Sequence, residues 1–74
     1  MTRIEHLVRT ARALLPGLPE RASAIIVDAA AETADPRLRY RLRGALVSLS
    51  EGDPRTARRL LDRIVEYLDS RTES

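Results

Sequence analysis

All four prolines of this chain, Pro16, Pro19, Pro36 and Pro54, stand between stretches whose apolar residues recur with the period of an α-helix. Proline breaks a helix interior but fits its first turn, where the missing amide would have no partner anyway. The punctuation therefore divides the chain into four helical segments and argues against one long helix.

The first stripe is Ile4, Leu7, Val8, Ala11, Leu14 and Leu15, with Arg3, His6, Arg9 and Arg12 largely off it. Thr2 and Glu5 have the spacing of a capping box and Pro16-Gly17 ends the segment, which predicts a helix over about residues 3–15. Pro19-Glu20 suits the start of a second helix, over about 19–34, that turns Ala22, Ile25, Ile26, Ala29 and Ala30 inward. Asp28 and Glu32 are like charges four apart and call for an arginine, which the third helix is expected to supply. Asp35-Pro36 reads as N-cap and first residue of a helix over about 36–50, with Leu38, Leu42, Ala45, Leu46 and Leu49 on one face. LRYRLR alternates like a strand, but Gly44 and the Ala45–Leu49 continuation break that alternation. Gly52 supplies a left-handed stop, Asp53 caps, and Pro54 opens a helix over about 54–70. That last stripe is Ala57, Leu60, Leu61, Ile64, Val65 and Leu68, with Arg58 and Asp62 as a pair outside it and residues 71–74 as a fraying tail.

The fold class is thus all-α: four short amphipathic helices in one domain spanning 1–74, packed as antiparallel hairpins in a small bundle because the connections are short. The 74 residues leave no room for a second domain. Ten of the apolar residues are alanine, and Phe and Trp are absent, so the core is thin. A thin core without disulfides favours completion by a second copy, and a homodimer is expected. Gly44 lies inside a helix, where glycine is unfavourable, and with Ala45 it suggests a close helix crossing.

Gly52-Asp53 followed by Ala57 and Leu61 resembles the turn and second-helix start of a tetratricopeptide hairpin over about ten residues. The aromatic position of that repeat is missing and residues 1–34 do not repeat the pattern, so the resemblance implies a helix pair and no more.

Chemistry-bearing constellations are few. There is no cysteine, one histidine (His6), no Glu-x-x-His pair and no glycine-rich phosphate loop, so neither cofactor nor metal is expected and the chain does not read as an enzyme. Asp28, Glu32 and Asp35 form the one acidic cluster, read as arginine-paired surface acids. No window is long and apolar enough for a membrane span, and MTRIEHLVRT lacks the apolar core of a signal peptide. A cytoplasmic protein is expected, and thirteen arginines with no lysine suit a GC-rich bacterial genome.

Those arginines supply the candidate surface. Arg37, Arg39, Arg41 and Arg43 crowd the third helix around Tyr40, while Arg55, Arg59 and Arg63 line the fourth beside Tyr67. Exposed tyrosine among arginines is the composition of a protein-interface hot spot. The reading is a non-enzymatic helical interaction module, a small regulatory, adaptor or assembly factor whose expected partners are a second copy of itself and another protein. The alternative is a small DNA-binding regulator whose arginine face contacts phosphate. Against it, the net charge is only +2 and the third helix lacks the Gln, Asn, Ser and Thr of a base-reading face.

Overall fold

A computed structural model describes residues 2–72 and contains four helices: α1 (Arg3–Leu14), α2 (Pro19–Glu32), α3 (Pro36–Ser50) and α4 (Pro54–Thr72). Each helix packs on its neighbour in sequence, and α4 returns to pack on α1. The radius of gyration is 11.1 Å, and a compact domain of this length has about 11 Å.

Local chemistry sets the ends. The Thr2 hydroxyl accepts the Glu5 amide at 3.2 Å, the forward half of the capping box. α1 stops at Leu14, two residues before Pro16, and Leu15 turns into the core. α2 has Pro19 in its first turn and no side-chain cap, its Ncap position being Leu18. It ends at Glu32, two residues short of the expected end, because Thr33 turns into extended backbone. α3 ends in a Schellman turn: the Asp53 amide donates to the Ser48 carbonyl and the Gly52 amide to Leu49, with Gly52 at φ +77°. Asp53 then caps α4, accepting the Thr56 amide at 3.1 Å and the Thr56 hydroxyl at 2.6 Å. α4 runs two residues further than the sequence suggests, so Arg71 and Thr72 are helical; residues 73–74 of the expected tail lie outside the described residues.

The core follows the four stripes. Val8, Ala11, Leu15, Ala22, Ile26, Ala29, Leu38, Leu42, Ala45, Ala57, Leu61, Ile64, Val65 and Leu68 are buried, and the other stripe residues pack against them. Burying a leucine in such a cluster removes its whole side chain from water, about 1.5–3 kcal/mol. The stripes thus pack on one another within one chain. Among the described residues, the large apolar side chains that stay exposed are Leu18, Val27, Tyr40 and Val47, none of them stripe residues.

Three expectations are corrected. Glu32 takes its arginine from α1, with Arg3 Nε at 2.7 Å, and not from α3. Asp62 pairs with Arg12 of α1 at 3.3 Å and not with Arg58. Ala45 is fully buried, but a Cβ added at Gly44 would meet nothing within 4 Å, so no helix of this chain crosses closely at Gly44.

Two stability measurements check the packing. Leu61→Ala empties a fully buried position and is expected to cost about 2–5 kcal/mol in denaturant unfolding. Gly44→Ala places its methyl in open space and is expected to stabilise the helix by about 0.5–1 kcal/mol.

Candidate functional site

The polar contacts concentrate where α3 begins. Asp35, the N-cap of α3, accepts the Arg37 amide at 2.9 Å through one oxygen. Its other oxygen accepts the Tyr67 hydroxyl and Arg71 Nη1 from α4, each at 2.9 Å. One carboxylate therefore caps α3 and ties it to the last turns of α4. The Tyr67 hydroxyl, followed by the neighbouring amides and the Arg71 charge, holds the Asp35 carboxyl below its ordinary value against the opposing pull of desolvation.

Thr33 closes the preceding turn. It is 4% exposed, its hydroxyl accepts the Asp35 amide at 3.2 Å, and its carbonyl accepts Arg39 Nη2 at 2.8 Å. A guanidinium there also meets the negative end of the α2 dipole. On the other side of α3, the Arg41 guanidinium lies 5.0 Å from the Tyr67 ring centre and that of Arg71 lies 5.6 Å from it, both within cation–π range.

The structure brings some of the candidate residues together and separates others. Arg41, Arg63 and Tyr67 line one open depression with Glu66 and Ser70. Pro36, Arg37, Tyr40 and Arg41 line a second, mostly apolar one on α3. Tyr40 is 80% exposed, whereas Tyr67 is half-buried against the core. Arg59 is exposed, and the Asp53 carboxyl is held low chiefly by the Thr56 hydroxyl and amide and also by the Arg59 charge. Arg43 and Arg55 are exposed. The two basic strips thus meet at Arg41 and Arg63, beside an acid.

Two participants escape the sequence reading: Thr33, which it does not single out, and Arg71, which it places in a loose tail. Asp35 is read as a cap and as an arginine-paired acid, and the structure adds the Tyr67 hydroxyl. The available signal for Arg71 is its position four after Tyr67, which puts both on one helix face. Of the acidic cluster, Glu32 and Asp35 are engaged by Arg3 and Arg71, and His6 is exposed. Among the described residues there is no group of three metal-ligating side chains, and no helix is long and apolar enough to cross a membrane. In comparisons with known proteins, the chain matches no family model, no curated protein and no solved structure.

Asp35→Asn keeps a capping oxygen but loses the charge facing Arg71. A carboxyl held low stabilises the fold above its unfolded value, near 3.8, and that contribution disappears as pH falls through the folded value. The variant is expected to melt several degrees lower at neutral pH, with a flatter loss of Tm on acidification, measured by circular dichroism from pH 7 to pH 2.

Proposed function

We propose that this chain is a non-enzymatic, self-associating helical interaction module, a small regulatory, adaptor or assembly factor of a bacterial cytoplasm. Its bundle is read as two antiparallel hairpins, α1–α2 and α3–α4. Contacts between the start of one helix and the end of its partner support this: Arg3 with Glu32, and Asp35 with Tyr67 and Arg71.

Tyr40 carries the functional reading. An 80% exposed ring on the outer face of α3, framed by Pro36, Arg37 and Arg41, contributes almost nothing to the packing of its own chain. Tyrosine and arginine are the residues that dominate interface energetics, because they bury large area and still place polar ends at a wet rim. The carboxyls held away from their ordinary range, Asp35 and Asp53, are both helix caps, and their shifts are accounted for by folding.

The nucleic-acid alternative has less support. Arg39 and Arg41 are engaged by the Thr33 carbonyl and the Tyr67 ring, and α4 interleaves Asp62, Glu66 and Asp69 with its arginines.

Sedimentation of wild type and Tyr40→Ala tests the reading. Wild type is expected to associate, and the variant to associate about tenfold more weakly, with the melting of the dilute chain unchanged. Absence of association, with duplex DNA binding that falls steeply with salt, would replace this reading by the nucleic-acid one.

A further inference from the structure

The exposed large apolar side chains of the helices all belong to one half of the bundle: Val27 of α2 is 51% exposed, and Tyr40 and Val47 of α3 are 80% and 55% exposed. Ala24 and Ala31 are exposed beside Val27. On α2 this makes a seam Ala24, Val27, Ala31, with steps of three and then four; on α3 it makes Tyr40, Gly44, Val47, with steps of four and then three. Both are the spacing of a helix-packing seam, and both point away from the core.

The two seams fit each other. Laid antiparallel, they match step for step, setting Ala24 against Val47, Val27 against Gly44 and Ala31 against Tyr40. Every pair joins a small residue to a larger one. The middle pair accounts for a glycine that the chain itself leaves unexplained: the space where a Gly44 side chain would stand is empty of this chain's atoms.

Charge decides which seam meets which. α2 carries Glu20, Asp28 and Glu32 against a single Arg21, whereas α3 carries Arg37, Arg39, Arg41 and Arg43 and no acid. Docking α2 on a second α2 sets acid on acid, and α3 on α3 sets arginine on arginine. Docking α2 on α3 joins opposite signs, with Asp28 following Val27 of the α2 seam and Arg41 following Tyr40 of the α3 seam, near level with each other on the same side.

Symmetry agrees. A two-fold axis parallel to the helices sets each α2 antiparallel to the partner's α3, at the heights the two helices already have within one chain. There, Pro19, Glu20 and Ser23 share a depression with Leu46, Leu49 and Ser50, so residues whose numbers sum to about 70 lie level. The seam pairs sum to a nearly identical value. Such an interface closes at two chains.

We propose that the partner of this module is a second copy of itself, docked through the outer faces of α2 and α3, with α2 of each copy lying antiparallel on α3 of the other. This rests on the self-association reading and adds the surface and the pairing. Two Asp28–Arg41 contacts then flank the interface, one on each side of the two-fold axis.

Sedimentation equilibrium on the full chain tests it, with circular dichroism confirming that each variant stays helical. Gly44→Leu, which fills the receiving gap, and the charge reversals Asp28→Arg and Arg41→Glu are each expected to weaken the dimer by about tenfold or more. An equimolar mixture of Asp28→Arg with Arg41→Glu is expected to recover it, because the heterodimer pairs opposite charges at both contacts. Single variants that dimerise like wild type overturn this surface and leave self-association standing. Single variants that weaken without recovery in the mixture overturn the α2-on-α3 pairing. A wild type that stays monomeric up to about 1 mM overturns the surface and the self-association reading together.

Discussion

Close approach of the helices is the constraint on which the other interactions depend. Ala11, Ala22, Ala29, Ala45 and Ala57 are all fully buried, at least one on every helix. A methyl group keeps two helix axes near the short end of the usual spacing, and the bundle measures 35 × 19 × 16 Å along its principal axes. Over so short a distance, side chains on the margins span from helix to helix. Arg3 reaches Glu32, Arg9 reaches Asp69, Arg12 reaches Asp62 and Arg71 reaches Asp35, and each pair joins different segments of the chain. Half-exposed pairs of this kind contribute about 0–1 kcal/mol each. Their value lies in register, since each fixes how far one helix has slid past another.

The start of α3 shows why an arginine-crowded helix is tolerated. Four arginines within seven residues, with no acid among them, repel one another at helical spacing. Two of the four are answered from outside the helix. Arg39 turns to the Thr33 carbonyl at the end of α2, and Arg41 lies over Tyr67 of α4. Asp35 adds a negative charge at the positive end of the α3 dipole and holds the end of α4 in place. Arg37 and Arg43 remain on the outside, at the borders of the Tyr40–Gly44–Val47 seam.

Inner and outer faces of α2 and α3 therefore serve different ends. The inner faces build the core of the chain. The outer faces carry apolar residues that this core does not use, bordered by acid on one helix and arginine on the other. α1 and α4 turn charged residues outward, many of them spent in pairing with a neighbouring helix. The interaction reading follows from that difference between the two halves of the bundle.

The sequence by itself determined the number of helices, their ends to within two residues and the membership of the core. Those properties rest on local chemistry: apolar spacing at the helical period, a proline in the first turn of α2, α3 and α4, carboxylates at Asp35 and Asp53, and glycine at the one left-handed stop. Every predicted stripe residue, from Ile4 to Leu68, is buried or packed against the core. The candidate surface was legible in composition and not in arrangement. Tyr40 and Tyr67 look alike among arginines in the sequence, yet one is outside and the other is bonded to Asp35. Which arginine answers Glu32, whether Gly44 meets another helix, and whether Arg71 belongs to a tail or to a contact depend on how the helices are turned and how far they slide. Those choices join residues about 30 or more positions apart, and only the packed bundle decided them, because local spacing fixes a helix's faces but not its neighbours.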